Sequence, residues 1–263
     1  MSTDEGIWGS TPWPTGWDVR HVAETGSTNT DLIAAVEAGT AANRTVLATD
    51  HQTAGRGRLD RRWDAPPGTN LLVSMVVTPI PAVPAEVTQR VGLAAVAAVR
   101  RFLAADVAPS AGLKWPNDVL LDGRKLAGIL AQRVPGRDAV VVGMGLNVGW
   151  APEGAAALEL LAGEATVDAT GDATISPAVV LRALLEELDA LSGDIATHYR
   201  DALVTIGQTV RVELPGDTPA LHGRAVAVDD SGRLVVVDAD GMSHDLDVGD
   251  VVHVRPTDGQ SSV

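Results

Sequence analysis

The sequence predicts an α+β domain followed by a small β-barrel. Up to about residue 204, segments with the pattern of strands alternate with helical segments. Beyond residue 206, short alternating strands are separated by the turn sequences PGD, DDSG and DADG, which is typical of a small barrel. We therefore predict an irregular arm over 1–17, a large domain over 18–204, a β-barrel over 205–256 and a short tail over 257–263.

The large domain is predicted to open with the strand WDVRHVAET and the helix STNTDLIAAVEAG, which Ser27 or Thr28 can cap and Gly39 ends. The strands TVLATDHQ and TNLLVSMVVTP follow, then a long apolar helix over 85–105. GLKWPNDVLLDGRKLAGILAQRV reads as two strands around an Asp-Gly turn, and DAVVVGMGLNVGW as another strand. Residues 151–176 are predicted to be a mobile connection with a short helix, before a last helix with Ser176 as its N-cap.

Composition narrows the classes of function. The 263 residues are 45% apolar, which suffices for a packed core. The net charge of −14 opposes binding to nucleic acid or to an anionic membrane, but it permits a small anionic ligand where positive charge is local. There is no cysteine, no signal-peptide pattern and no apolar run of membrane-spanning length. These features predict a cytoplasmic protein.

Positive charge is concentrated in HQTAGRGRLDRRW, residues 51–63. A solvated basic turn is the plain alternative, but three details favour an anion site. Gly55 and Gly57 allow close approach of the backbone, Arg56 and Arg58 point to one side of an extended chain, and Trp63 offers a flat stacking face. The stretch lacks the Gly-Lys-Ser/Thr of a phosphate-binding P-loop.

A second stretch, GLKWPNDVLLDGRKLAGIL, adds cations in an apolar setting. Lys114 ends an apolar strand, and Pro116 keeps the preceding residue extended. Asn117 and Asp118 offer polar groups at the turn, and Lys125 returns on the partner strand. A lysine that merely reaches solvent along the surface is the alternative, although buried lysines without a partner are rare.

Four stretches in this order resemble the biotin protein ligase family: ETGSTNTDL, HQTAGRGRLDRRW, KWPNDVLLDGRKLAGIL and GMGLNVG. The resemblance covers about residues 18–255. It implies a mixed or antiparallel sheet flanked by helices, similar to class II aminoacyl-tRNA synthetases, and a C-terminal barrel similar to Src-homology-3 domains. The family's regulatory members carry an N-terminal DNA-binding winged helix. This chain begins too late for one, so we expect the short class.

The resemblance implies a two-step ligase reaction with ATP and biotin as substrates and Mg²⁺ accompanying ATP. The biotin carboxylate attacks the α-phosphate and gives biotinyl-5′-AMP and pyrophosphate; a lysine of a biotin carboxyl carrier domain then takes the biotinyl group. Because a carboxyl group with a pKa near ~4 is ionised at neutral pH, the first step needs no general base. It needs positive charge around two anions brought together.

The resemblance also assigns residues by position. The catalytic set is Lys114, Arg58, Asp118 and Lys125. The biotin set is Ser27, Thr28, Asn29, Gln52, Gly55, Arg56, Gly57, Arg58, Lys114, Gly128 and Ile129. The nucleotide set is Arg56, Arg58, Arg61, Trp63, Asn117 and Asn147. No protein metal site is expected. Asp60 departs from the glycine that many members carry, and adds negative charge near the phosphate site.

Three other functions remain as alternatives. A lipoate or octanoyl ligase shares the catalytic fold, but KWPND and the C-terminal barrel favour biotin. A biotin-responsive repressor would need a basic DNA-reading module, and we expect no DNA partner. A non-catalytic binding protein would not need Lys114 and the arginines. We expect a monomer or weak homodimer whose partner is the carrier domain, with no membrane association.

Overall fold

The fold is seen in a computed structural model that describes residues 7–59, 61–161, 175–216, 218–247 and 249–253. Seven strands form the larger sheet: β1 (Asp18–Thr25), β2 (Thr45–Gln52), β3 (Leu71–Val77), β4 (Ala111–Lys114), β5 (Asp118–Leu121), β6 (Arg124–Arg133) and β7 (Val140–Leu146). Their order is β1-β2-β3-β7-β6-β5-β4. Only the β1–β2 pair among these is parallel, so the sheet is mixed. The predicted α+β class is confirmed at this level.

The described helices are α1 (Ile7–Ser10), α2 (Thr28–Glu37), α3 (Glu86–Arg100), α4 (Pro177–Ala190) and α5 (Ile195–Ala202), with a 3-10 turn at Ala108–Ser110. Alternation along β3 separates them onto two faces of the sheet. Val73 and Met75 belong to the large core under α3 and α4, whereas Val76 packs in a smaller cluster under α2. The α3 and α4 face is covered by the large core, whereas the α2 face has only the smaller cluster and leaves part of the sheet open for a binding site beside the helix.

A second sheet contains β8 (Thr209–Glu213), β9 (Leu221–Val228), β10 (Leu234–Val237), β11 (Ser243–Leu246) and β12 (Asp250–His253), in the order β11-β10-β9-β8-β12. All its pairs are antiparallel. It packs on the larger sheet through the turn after β4. The Trp115 backbone N–H donates to Thr205 Oγ1 at 3.1 Å, and the indole Nε1 of Trp115 donates to the Gly232 carbonyl at 3.0 Å.

Several local predictions were wrong or incomplete. The segment from Gly112 to Arg133 holds three strands rather than two, because a turn through the cis peptide at Pro116 separates β4 from β5. Helix α5 was not predicted, although Asp194 caps it by accepting from the Thr197 N–H at 3.3 Å. Half of the connection predicted over 151–176, namely 162–174, lies outside the described residues, as does the tail over 257–263.

Within the predicted N-terminal arm, residues 7–17 are more ordered than predicted. They contain α1, whose Trp8 ring stacks on His21 at 4.6 Å between centroids and donates Nε1–H to Asp50 at 3.1 Å. Trp17 donates to Asp189 at 3.0 Å and lies under the Arg44 guanidinium. Because β1 and β2 carry His21 and Asp50, the arm is fastened to the parallel edge of the sheet. No helix among the described residues is long and apolar enough to cross a membrane.

Candidate active site

A cleft of about 250 Å³ lies on the α2 face of the larger sheet and reaches the second sheet. It gathers most of the predicted site residues: Ser27, Thr28, Asn29, Gln52, Arg56, Gly57, Arg58, Arg61, Trp63, Asn117, Asp118, Lys125, Gly128, Ile129 and Asn147. Gly55 and Lys114 are the predicted site residues that do not line it. Residues that are distant in sequence thus converge on one concave surface.

The floor of the cleft, which we define as Thr28, Asn29, Gln52 and Ser74, is a chain of neutral hydrogen bonds. Gln52 Oε1 accepts from the Thr28 N–H and hydroxyl at 2.9 and 3.1 Å. The Thr28 and Ser74 hydroxyls are 2.7 Å apart, and Ser74 donates to Asn29 Oδ1 at 2.6 Å. All but Gln52 are buried, so these side chains are held in fixed orientations.

The start of α2 supplies half of this floor, but not in the way predicted. Ser27 occupies the N-cap position with extended backbone, yet its side chain makes no capping hydrogen bond. Thr28 bonds Gln52 and Ser74 rather than the helix end. Since neither hydroxyl is used to cap the helix, capping does not account for these two residues.

Glycines make room beside the floor. On β7, a Cβ added to Gly143 would overlap the Asn29 amide, and one added to Gly145 would overlap the Trp63 ring. On β6, a Cβ at Gly128, the register partner of Gly145, would lie 3.2 Å from the same ring. Trp63 therefore rests on bare backbone, and only glycine allows an indole this close to the sheet.

In the arginine loop, which we define as residues 55–63, residues 55–59 and 61–63 form the two sides of a tight hairpin. The backbones of Arg56 and Arg62 form an isolated antiparallel β-bridge, and the Gly57 N–H donates to the Arg61 carbonyl at 2.6 Å. Between these residues, Leu59 has a positive φ of 54°. A Cβ on Gly55 would overlap the Trp63 carbonyl. The structure thus gives Gly55 a neighbour other than a ligand: it allows the two sides of the hairpin to approach, and contact with biotin stays a prediction.

The arginines differ in exposure. Arg56, Arg61 and Arg62 are exposed, whereas Arg58 is half-buried. Burial lowers the pKa of Arg58, and the negative charges of Asp118 and Asp250 partly oppose that shift. Arg58 is thus a partly desolvated cation in the lining of the cleft, and water screens its interaction with an anion less than it does for the exposed arginines.

Asp118 lies between the two predicted lysines. Lys125 Nζ is 2.6 Å from Asp118 Oδ1, and Lys114 Nζ is 4.0 Å from Oδ2. Only Lys125 lines the cleft, where its Nζ is also 5.7 Å from the Trp63 ring centroid. Asp118 is 9% exposed and carries a charge that these two ammonium groups balance.

A strand irregularity explains the orientation of Lys125. Residues 125 and 128 are an odd number apart, so in a regular strand their side chains would face opposite ways. The register between β5 and β6 shifts at Val119 and Leu120, and a Cβ on Gly128 would lie 3.3 Å from Lys125 Cε. The bulge therefore places Lys125 and Gly128 on the same side of the sheet.

The two predicted asparagines, Asn117 and Asn147, form hydrogen bonds that hold the walls of the cleft together. Asn117 Nδ2 donates to the Ile129 carbonyl at 2.7 Å, which joins the turn after β4 to β6. Asn147 is buried, with Nδ2 donating to the Ala156 carbonyl at 3.0 Å and Oδ1 accepting from Asn70 at 3.3 Å. The side-chain amide of Asn147 is thus occupied by protein partners, and its contact with a nucleotide stays a prediction.

Among the cleft residues that the sequence analysis did not predict, four matter most to the geometry of the site: Ser74, Gly143, Gly145 and Asp250. A signal existed for the first three, because Ser74 is the single polar residue in LLVSMVV and GMG places two glycines on one face of a strand. Asp250 comes from the second sheet and had no such signal among many acidic residues. Asp60, the noted departure from the family pattern, lies outside the described residues. Within the part of the chain that the structure describes, no group of three or more His, Asp or Glu side chains could hold a metal ion.

Comparison with known proteins identifies the class to which this fold and cleft belong. Residues 23–148 match the model of the Biotin/lipoate A/B protein ligase family, and residues 205–254 match that of the Biotin protein ligase C terminal domain. A biotin--[acetyl-CoA-carboxylase] ligase of Mycobacterium tuberculosis is 41% identical over 91% of this chain and 91% of its own length. The chain therefore belongs to the biotin protein ligase family.

Further relatives agree with this membership. The bifunctional ligase/repressor BirA of Bacillus subtilis is 28% identical over 78% of this chain and 66% of its own length. The fold matches biotin protein ligase from Aquifex aeolicus in complex with biotin and ATP, with a TM-score of 0.72 and 22% identity over 90% of this chain and 99% of that one. The Leishmania major ligase in complex with biotinyl-5-AMP gives a TM-score of 0.61 and 23% identity over 88% of this chain and 99% of that one.

Proposed function

We propose that this chain is a biotin protein ligase: it activates biotin with ATP to biotinyl-5′-AMP and transfers the biotinyl group to a lysine of a biotin carboxyl carrier domain. One observation carries the proposal. A buried floor of neutral hydrogen-bonding groups and a rim that carries Arg56, Arg58 and Arg61 meet in one cleft. Such a cleft suits a molecule that has an uncharged polar ring at one end and a carboxylate at the other.

The first step uses the charges of the rim. The biotin carboxylate and the α-phosphate are both anionic, so the barrier contains their mutual repulsion. We propose that Arg58 and Lys125 offset it, Arg58 at the acyl phosphate and Lys125 at the carboxylate and α-phosphate oxygens. Pyrophosphate leaves with the electrons of the broken P–O bond. Mg²⁺ enters as part of the MgATP substrate, held mainly by phosphate oxygens and water.

We propose different roles for Lys114 and Lys125. The family resemblance implies that Lys114 bridges the biotin carbonyl and the α-phosphate oxygens. Because Lys125 lines the cleft and Lys114 does not, we propose that Lys125 makes this contact and that Lys114 acts by helping to neutralise Asp118. Asp118, freed from Lys125 when phosphate arrives, is also the candidate to orient the acceptor lysine in the second step.

In the second step the acceptor amine attacks the acyl carbon of biotinyl-5′-AMP. An amide bond forms as the bond from the acyl carbon to the phosphate oxygen breaks and AMP departs. Solvent or Asp118 accepts the proton that the amine loses. The carrier domain is the proposed partner because the relative from Mycobacterium tuberculosis is named for acetyl-CoA carboxylase. We propose further that the chain acts in the cytoplasm as a monomer or weak homodimer and does not bind DNA.

Two finer features of the fold belong to the same proposal. The second sheet is proposed to curl into a barrel similar to Src-homology-3 domains; its five strands and antiparallel pairing support this. The larger sheet is proposed to share the architecture of class II aminoacyl-tRNA synthetases, which also make acyl adenylates. The predicted boundary near residue 204 lies between α5 and β8.

A lipoate or octanoyl ligase is the second candidate, since the family model that matches residues 23–148 covers both kinds of enzyme. The experiment that decides is ATP–pyrophosphate exchange with biotin, lipoate, octanoate or no acid. We expect exchange with biotin only, followed by labelling of a carrier domain that is lost when its acceptor lysine is replaced by arginine. Exchange with lipoate in preference to biotin would contradict the proposal.

A further inference from the structure

The second sheet contributes an acid to a cleft that binds anions. Asp250, the first residue of β12, lines the cleft, and its Oδ2 is 2.5 Å from Arg61 Nη2. A carboxylate paired with Arg61 competes with any phosphate for that guanidinium group. Its position therefore disfavours nucleotide binding.

The carboxylate is fixed, whereas its partner is free to move. Asp250 pairs with Glu213 across the β8–β12 ladder, and the next residue, Val251, is fully buried. A Cβ on Gly249 would lie 2.6 Å from Val212 Cγ1, so the chain enters β12 pressed against β8. The Arg61 side chain is 60% exposed, compared with 25% for Asp250. When a ligand arrives, Arg61 is the group that moves.

The ion pair is too exposed to stabilise the fold appreciably. Exposed ion pairs contribute about 0–1 kcal/mol, because water screens the charges and two side chains lose freedom. An arginine holds a phosphate through paired, charge-assisted hydrogen bonds, which are stronger. We therefore expect the triphosphate of ATP to displace Asp250 from Arg61 and the ion pair to re-form once pyrophosphate departs.

We propose that Asp250 is a positioning residue that exchanges with the nucleotide phosphates for Arg61, weakening the binding of ATP and pyrophosphate and thereby speeding the release of pyrophosphate after adenylate formation. This inference rests on the proposed function. The cost is a higher KM for ATP. The gain is that pyrophosphate leaves before it can attack the acyl adenylate and reverse the first step.

The test is Asp250→Asn, which keeps the shape of the side chain and removes its charge. The KM for ATP and the inhibition constant for pyrophosphate are both expected to fall, by about 2- to 5-fold, which is the range that an exposed ion pair permits. Carrier biotinylation by the variant stalls as pyrophosphate accumulates, and added inorganic pyrophosphatase restores it to at least the wild-type rate. Loss of a merely structural contact would raise KM, and pyrophosphatase would not rescue the activity.

Two further variants make the test specific. Glu213→Gln removes the same charge from the cross-strand neighbour, which pairs with Arg211 instead; it is expected to leave both constants unchanged. In an Arg61→Ala background, Asp250→Asn is expected to have no further effect. The proposal is overturned if Asp250→Asn leaves both constants unchanged or raises them, if Glu213→Gln lowers them equally, or if the effect persists without Arg61.

Direct binding separates this inference from the proposed function. Calorimetric titration of wild type and Asp250→Asn with MgATP and with pyrophosphate requires no biotin chemistry. If wild type shows no biotin-dependent exchange, the proposed function fails, while tighter binding of both phosphates by the variant still supports the role of Asp250. Equal binding by the two proteins contradicts that role even where wild type is an active ligase.

Discussion

The floor of the cleft and the arginine loop beside it offer opposite kinds of recognition. The floor is buried, uncharged and bonded to itself, with Ser74 fully buried between Thr28 and Asn29. The loop is largely exposed and cationic, and only Arg58 among its arginines is half-buried. A rigid neutral surface discriminates by shape and hydrogen-bond pattern, whereas a movable charged one responds to net charge. We expect the floor to select the acid and the loop to support the chemistry.

This difference predicts separable kinetic effects. Variants of the floor should raise the KM for biotin and leave the KM for ATP unchanged. Variants of the loop and of its lysine neighbour should lower kcat or shorten the lifetime of the adenylate. Four substitutions test that division, from the largest expected effect to the smallest.

The largest effect is expected for Lys125→Met, which removes the cation that faces the cleft. Losing one preorganised charge of this kind typically lowers the rate about 10²–10³-fold, measured here as single-turnover formation of biotinyl-5′-AMP. Lys114→Met is the comparison, since its ammonium is 4.0 Å from the same Asp118 but lies outside the cleft. If Lys114→Met lowers this rate more than Lys125→Met does, then Lys114 rather than Lys125 contacts the α-phosphate.

Arg58→Ala comes next, and it should weaken retention of biotinyl-5′-AMP more than binding of ATP. A hydrogen bond to a charged group contributes about 1.5–3 kcal/mol, which corresponds to roughly 10- to 150-fold in the dissociation rate. Arg62→Ala is the matched control: Arg62 is exposed, its side chain reaches only the Thr53 carbonyl at 3.3 Å, and surface changes of this kind shift rates less than about 2-fold. Equal losses in the two variants would mean that the loop acts through net charge alone.

The sequence predicts the loop better than it predicts the floor. Arginines spaced by glycines are conspicuous in an acidic chain, and their signal is local. The floor depends on contacts between distant segments: Ser74 meets Asn29 across 45 residues, and Gly145 is explained only by the Trp63 ring above it. A pattern within one segment carries no information about such a partner.

The same limit applies to the lysines and to the second sheet. Lys114 and Lys125 look equivalent in the sequence, and a bulge in the β5–β6 register places Lys125 in the cleft. Arg61 and Asp250 are 189 residues apart, so their ion pair depends on how the two sheets pack. Most strands and helices could be predicted from the periodicity of apolar residues and from turn residues. The turn at Pro116 was not predicted, because the sequence does not show that the Trp115–Pro116 peptide bond is cis.

Gly143→Ala tests the floor by adding volume beside Asn29. The added Cβ overlaps the Asn29 amide, and relief of such overpacking typically costs about 1–3 kcal/mol. We expect the KM for biotin to rise roughly 5-fold or more, with the KM for ATP unchanged. Gly26→Ala is the control, because nothing lies within 4 Å of a Cβ there. A melting curve reports whether the variant remains folded; an unchanged biotin KM in a folded variant would show that the position of Asn29 does not matter to biotin.

The smallest effect is expected for Ser74→Ala, which removes the one hydroxyl that joins Thr28 to Asn29. Neither partner is deleted, and Thr28 keeps its contact with Gln52 at 3.1 Å, while Asn29 keeps Gln132 at 2.7 Å. The variant thus loses orientation rather than binding groups, and one net hydrogen bond is worth about 1 kcal/mol. The KM for biotin should rise roughly 5-fold, with kcat and the KM for ATP unchanged. Ser110→Ala makes the same change outside the cleft, at a buried hydroxyl with no hydrogen-bond partner among the described residues, and should leave all three constants at their wild-type values. If Ser74→Ala instead lowers kcat while the KM for biotin stays constant, the floor takes part in the chemistry, and the division of labour between floor and loop is wrong.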